Sequence, residues 1–75
     1  MTVVELEREL EKRGVPKDFY SIMAEGLPNE KLCIVKENKW QVYYSERGCK
    51  TGLKEFEQET EACEYFCDLA KNYGL

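Results

Sequence analysis

Two short apolar segments, separated by a three-residue loop, constrain the fold of this chain most. Residues 32–35 and 40–44 are rich in β-branched, aromatic and other large apolar side chains, which is typical of β-strands. Residues 37–39 are polar and contain Asn38, so they favour a hairpin loop between the two strands. Gly48 then turns the chain, and residues 49–56 can supply a third strand.

The loop length determines which residues of the two strands face each other. With three loop residues, Lys36 pairs with Trp40 and Ile34 pairs with Val42, a register that gathers the large side chains on one face. That face carries Leu32, Ile34, Trp40, Val42 and Tyr44, and the other face carries Cys33, Val35, Gln41 and Tyr43. We therefore expect Trp40 and Tyr44 in the core. The face of Tyr43 is either covered by the first helix or exposed as a contact surface.

A first helix is predicted over about residues 3–13. Thr2 and Glu5 form the pattern of a capping box at its start. Gly14 and Pro16 are typical of a helix end. The apolar stripe between these signals consists of Val3, Leu6 and Leu10.

A second helix is predicted over about residues 61–73, with Thr60 as its N-cap and Gly74 closing it. Its apolar positions at helical spacing are Ala62, Cys63, Phe66, Leu69, Ala70 and Tyr73. Residues 15–30 are expected to be irregular or briefly helical, with a turn at residues 25–29. Core side chains are expected there from Phe19, Ile22 and Met23. The predicted fold class is α+β: an N-terminal helix, a three-stranded antiparallel β-meander and a C-terminal helix, in one small domain that covers the whole chain.

The composition excludes several kinds of chemistry. Among 75 residues there are 15 acidic and 11 basic side chains, which gives a net charge of −4, and there is no histidine. The chain therefore lacks nucleophile–histidine pairs and the usual acid–base residue at neutral pH. Residues 47–52 lack the first glycine of a phosphate-binding loop and lead into a strand instead of a helix. We predict a protein that is not an enzyme and uses no cofactor.

The four cysteines allow two interpretations. Cys63 and Cys67 are one helical turn apart, whereas Cys33 and Cys49 are isolated, and a structural zinc site usually has two close pairs. The spacing favours the other interpretation, in which the cysteines are small buried residues with free thiols and no metal. We find no secretory signal and no apolar run long enough to span a bilayer. We therefore expect a cytoplasmic protein with reduced thiols and no membrane contact.

Negative charge is concentrated around the second helix. Residues 55–68 contain no lysine or arginine. Their acidic residues are Glu55, Glu57, Glu59, Glu61, Glu64 and Asp68. Such a stretch is either a solvated helix face or a patch that docks a basic protein and steers its approach. The acidic field disfavours nucleic-acid binding, because phosphates need cationic partners.

Residues 27–33 and 40–48, together with Phe56 and residues 61–66, resemble small bacterial immunity proteins encoded beside polymorphic or contact-dependent toxins. The resemblance covers about residues 19–70. It implies that the chain neutralises a cognate toxin, such as a nuclease, by stoichiometric binding. From the charge pattern and the hairpin, the residues expected to contact such a basic partner are Glu57, Glu61, Glu64, Asp68, Tyr43 and Arg47. The alternative is a small homo-oligomeric or regulatory adaptor protein, and a homodimer is compatible with either function.

Overall fold

The structure, a computed structural model, describes residues 1–23 and 30–72. Two helices, a short 3-10 helix and four strands follow one another along this part of the chain. The helices are α1 (Val3–Lys12) and α2 (Glu59–Asn72), and the 3-10 helix spans Lys17–Phe19. The strands are β1 (Tyr20–Ile22), β2 (Lys31–Lys36), β3 (Trp40–Glu46) and β4 (Cys49–Phe56). The predicted α+β class is confirmed.

The predicted meander forms most of the sheet. The strand order is β1-β2-β3-β4, and both the β2–β3 and β3–β4 pairs are antiparallel. The predicted hairpin register is confirmed, since Lys36 faces Trp40, and β4 has the predicted bounds. Arg47 and Gly48 form the turn between β3 and β4, with φ values of 50° and 77°. Positive φ at both positions is what a type I′ hairpin turn requires.

The prediction of a sheet with only three antiparallel strands is wrong, because β1 adds a fourth strand that runs parallel to β2. Its pairing places Tyr20 opposite Leu32 and buries Tyr20, while Ile22 packs against the core as expected. Phe19 and Met23, also expected in the core, are 48% and 46% exposed. They lie just outside β1, whose inward-facing side chains are those of Tyr20 and Ile22.

Both ends of α1 carry the predicted signals. At the start, Thr2 Oγ1 accepts a hydrogen bond from the N–H of Glu5 at 3.3 Å. The Glu5 carboxylate contacts the Thr2 hydroxyl, at 3.4 Å, instead of its backbone N–H. At the end, Gly14 has a φ of 77°, and the N–H of Val15 bonds to the carbonyl of Leu10 at 3.0 Å. This is a Schellman motif, which needs a residue that tolerates positive φ.

The second helix begins earlier than predicted. It starts at Glu59, and Thr60, the predicted N-cap, is an exposed residue of its first turn. An acidic residue suits this position because of the helix dipole. Glu59 Oε2 also accepts a hydrogen bond from the N–H of Val3 at 2.8 Å. The start of α2 thus satisfies an N–H group that has no partner within α1. The predicted closure at Gly74 and the predicted turn at residues 25–29 lie outside the described residues.

Both helices pack on the same face of the sheet. The buried core residues are Leu6, Leu10, Val15, Tyr20, Leu32, Ile34, Trp40, Val42, Ala62, Cys63, Phe66, Cys67 and Ala70. Trp40 is 8% exposed and Tyr44 packs half-buried against this core, as predicted. Helix α1 therefore does not cover the other side of the sheet. We call that side the reverse face; it carries Cys33, Val35, Gln41, Tyr43 and Ser45.

Candidate protein-binding site

The predicted acidic face is a line of exposed side chains along α2. Glu61, Glu64 and Asp68 are all exposed, and their spacings of three and four place them on one stripe of the helix. Glu57 is exposed as well, just before the helix begins. The buried stripe of α2 contains Ala62, Cys63, Phe66, Cys67 and Ala70. The carboxylates therefore face solvent, while the helix is held in place by apolar packing.

An open cleft of about 350 Å³ lies between α1 and α2, and we call it the helix cleft. It is lined by Met1, Glu9 and Arg13 on one side and by Glu64, Cys67 and Asp68 of α2 on the other. Arg13 Nε lies 3.3 Å from Glu9 Oε1. Sequence reasoning missed Glu9 and Arg13 as site residues. Their spacing of four is a visible local signal, but it does not indicate that α1 lies beside the acidic line of α2.

The helix cleft carries an excess of negative charge. Three carboxylates line it, together with the guanidinium of Arg13 and Met1, which carries the N-terminal ammonium, and the guanidinium already pairs with Glu9. Glu64 and Asp68 form no ion pair with any described residue. Two uncompensated, exposed carboxylates therefore border the cleft, and a cation arriving from outside would not have to displace an internal partner to reach them.

The buried thiols at the helix cleft are poorly reactive. Cys67 is 8% exposed and its Sγ lies 3.9 Å from Met1 Sδ. Burial raises the pKa of Cys67, and burial together with the Glu59 carboxylate raises the pKa of Cys63 to about 11. Both thiols are therefore protonated at neutral pH and are weak nucleophiles and metal ligands. Across residues 1–23 and 30–72, no group of three or more cysteine, aspartate or glutamate side chains is placed to hold a metal ion.

The four cysteines differ in burial. All are free thiols, and Cys33, Cys63 and Cys67 are buried, as expected for small apolar residues. The expectation of burial is wrong for Cys49, which is exposed. Cys49 begins β4 directly after the hairpin turn, and seven of the eight residues of this strand are exposed.

Tyr43 and Arg47 do not line the helix cleft. Tyr43 is 1% exposed on the reverse face, where it lies opposite Cys33. Lys50 Nζ lies 4.8 Å from the centre of the Tyr43 ring. The ring is therefore buried in the free chain, and its contact with a partner stays a prediction. Arg47 is exposed in the turn between β3 and β4, and its contact with a partner stays a prediction.

No protein-family model, curated protein or solved structure matches this chain. The resemblance to immunity proteins therefore stays a prediction that depends on the residues quoted above. Neither of the two helices in the described residues is long and apolar enough to cross a membrane.

Proposed function

We propose that this chain is a non-enzymatic binding protein that docks a basic partner at the helix cleft and along the acidic line of α2. The partner class that fits best is a basic toxin domain, so the chain would act as an immunity protein by one-to-one binding. The observation that carries this proposal is the pair of exposed carboxylates, Glu64 and Asp68, that have no ion-pair partner among the described residues and border a cleft.

A lysine or arginine side chain of the partner suits the helix cleft in two ways. Its charged end meets the carboxylates of Glu64 and Asp68, and a guanidinium can bind a carboxylate through two hydrogen bonds. Its aliphatic stem packs against the sulfur atoms of Met1 and Cys67, which line the same cleft. The guanidinium of Arg13, which also lines the cleft, is already engaged by Glu9, so it competes little for the carboxylates of α2.

The charge distribution also supports fast association with a basic protein. The chain has a net charge of −4, and three exposed carboxylates follow one stripe of α2. A surface of this kind attracts a basic partner over a distance of about one Debye length and orients it before contact. The rate of association should therefore fall as salt is added.

The chemistry of the site supports binding rather than catalysis. The chain has no histidine, and burial raises the pKa of the thiols of Cys63 and Cys67. Neither thiol is therefore a nucleophile at neutral pH. Carboxylates without an adjacent base or nucleophile serve more readily as partners for cations.

The test replaces the acidic line with lysines in the triple variant Glu61→Lys/Glu64→Lys/Asp68→Lys. The binding partner in this test is a candidate toxin domain, sought in the genes that neighbour the gene for this chain and purified. We expect roughly tenfold to hundredfold weaker binding, because about 0.5–1 kcal/mol is lost for each of three rim pairs. The association rate should also no longer fall as salt is added. Circular dichroism should show an unchanged fold, because the buried stripe of α2 is intact.

A matched control separates the site from net charge. The variant Glu7→Lys/Glu37→Lys/Glu46→Lys makes the same change of net charge, from −4 to +2, at exposed positions that do not line the helix cleft. It should bind nearly as tightly as the wild type at 0.15 M salt. Unchanged binding by the folded α2 variant would contradict the proposal. Equal weakening by the two variants would show that net charge acts without this site.

A further inference from the structure

The outer side of β4 is an open sheet edge. In the part of the chain that the structure describes, the sheet ends at β4, and seven of its eight residues are exposed. Such an edge is a template for pairing with another strand. We propose that β4 pairs antiparallel with β4 of a second copy of this chain, so that two four-stranded sheets join into one. This inference goes beyond the proposed function and does not depend on it.

The hydrogen bonds of the sheet indicate which backbone groups point toward β4. The carbonyl of Ile34 in β2 accepts a hydrogen bond from the N–H of Met23, beside β1, at 2.8 Å. Backbone groups alternate in direction along a strand, so the two neighbours of Ile34 point toward β3. The same alternation along β3 then directs the backbone groups of Val42 and Tyr44 toward β4.

The residues of β4 that face Val42 and Tyr44 show which backbone groups of β4 point away from the sheet. Val42 faces Lys54, and Tyr44 faces Thr51, so the backbone groups of Lys54 and Thr51 point inward. Their neighbours Glu55 and Lys50 therefore direct their N–H and carbonyl groups away from the sheet. These are the groups that a further strand would bond.

A β-bulge places Lys50 and Glu55 on the same outer edge. Between the two facing pairs described above, β3 has one residue and β4 has two, Gly52 and Leu53. Gly52 has a φ of 63°, the left-handed conformation of a bulge that begins with glycine. The extra residue shifts the alternation by one position. Residues five positions apart, which point to opposite edges in a regular strand, therefore point the same way here.

The outward-pointing residues of β4 in one copy match those of a second copy that is related to the first by a two-fold axis. With the axis between Gly52 and Leu53, Lys50 of each copy faces Glu55 of the other. Both side chains already lie on the reverse face: Lys50 Nζ is 3.3 Å from Gln41 Oε1, and Gln41 Nε2 is 3.4 Å from Glu55 Oε2. Opposed residues in an antiparallel pair lie on the same face, so two pairs of opposite charge form at once.

The centre of this arrangement also fits by shape. Leu53, which is 42% exposed, faces Gly52 of the other copy. No atom lies within 4 Å of the position that a side chain on Gly52 would occupy, so there is room for the leucine. An unrelated strand would have to match both the charge spacing and this gap, whereas a second copy supplies both.

The first test measures the mass and the amide exchange of the wild-type chain over a range of concentrations. Sedimentation equilibrium should show a monomer that converts to a dimer as the concentration rises. In the dimer, the amide hydrogens of Lys50 and Glu55 should become protected, while those of Thr51 and Lys54 should be protected at every concentration. A monomer throughout, or a dimer in which the Lys50 and Glu55 amides still exchange freely, would overturn the proposal.

The second test exchanges the two charges. Lys50→Glu and Glu55→Lys should each weaken dimerisation roughly tenfold or more, because each removes two attractive pairs and creates two repulsive ones. The double variant Lys50→Glu/Glu55→Lys should dimerise like the wild type. Its bridge through Gln41 can persist within each copy, since an amide can reverse its ends. Lys39→Glu makes the same charge change in the exposed β2–β3 loop and should have no effect. A folded double variant that stays monomeric would overturn the register.

Discussion

Tyr20 is a buried residue with a polar group. Its side chain is 8% exposed, and its hydroxyl has no hydrogen-bond partner among residues 1–23 and 30–72. Burial raises the pKa of Tyr20, and the nearby carboxylates of Glu11 and Glu7 raise it further. The ring therefore contributes packing to the core, while the hydroxyl carries a desolvation cost.

Removing this hydroxyl should not weaken the fold. For Tyr20→Phe we expect the free energy of unfolding in urea to stay the same or to rise by up to about 1 kcal/mol, because a buried, unpaired polar atom is removed. The control is Thr2→Val, which removes the hydroxyl that accepts a hydrogen bond from the N–H of Glu5. It should lose about 1 kcal/mol, a value typical of a lost helix cap. A clear loss of stability in Tyr20→Phe would show that its hydroxyl has a partner.

The thiol of Cys63 should make the fold sensitive to alkaline pH. Burial raises its pKa from an ordinary value of 9.0 to about 11, so the thiol ionises in the unfolded chain first. Its contribution to stability is therefore complete below pH 9 and is lost as the pH rises from 9 to about 11. Urea titrations at several pH values give the slope with which the free energy of unfolding falls between pH 9 and about 11. Cys63→Ala should make this slope smaller. Cys49→Ala, which removes the exposed thiol, should leave it unchanged. Equal slopes for wild type and Cys63→Ala would contradict the assignment.

At the scale of elements, Glu59 links the two helices. It belongs to the first turn of α2, and its carboxylate accepts a hydrogen bond from the N–H of Val3 at the start of α1. A side chain that serves both helix starts couples two elements that are far apart in the sequence. This contact explains why the start of α2 could not be predicted from its own capping signals, since the role of Glu59 depends on α1 lying beside it.

The variant Glu59→Ala tests this link. We expect it to lower the free energy of unfolding by about 1 kcal/mol, a value typical of a lost helix cap. Glu59→Gln keeps an acceptor oxygen and should lose about half as much. Glu57→Ala removes an exposed carboxylate just outside the helix and should have little effect. Identical results for Glu57→Ala and Glu59→Ala in urea unfolding would show that the contact with Val3 contributes nothing.

The hairpin and β1 differ in how far they could be predicted. The β2–β3 hairpin depends on local information: a short loop, two strands of clear composition and one register that gathers the large side chains. Strand β1 has three residues, too few to show an alternating pattern, and it is held by parallel pairing with β2. Parallel pairing needs a connection whose path the sequence does not indicate, so Phe19 and Met23 were wrongly expected in the core.

At the scale of the whole molecule, the candidate site could be predicted only in part. Helical spacing alone indicates that Glu61, Glu64 and Asp68 share one exposed stripe. The contribution of Glu9 and Arg13 arises because α1 and α2 pack on one face of the sheet, which depends on long-range apolar contacts. Tyr43 is likewise buried in the assembled sheet, where its ring lies 4.8 Å from the Lys50 Nζ of β4.

The most direct test of the binding proposal is a map of the contact surface. The ¹⁵N-labelled chain is titrated with the unlabelled basic toxin domain that the proposed function requires as its partner, and backbone amide signals are followed by NMR. Binding at the helix cleft predicts that the largest changes fall on Glu9, Arg13, Glu64 and Asp68 and on residues beside them, with saturation at one partner per chain. Changes confined to β4 and the reverse face, or no changes at all, would contradict the proposed function.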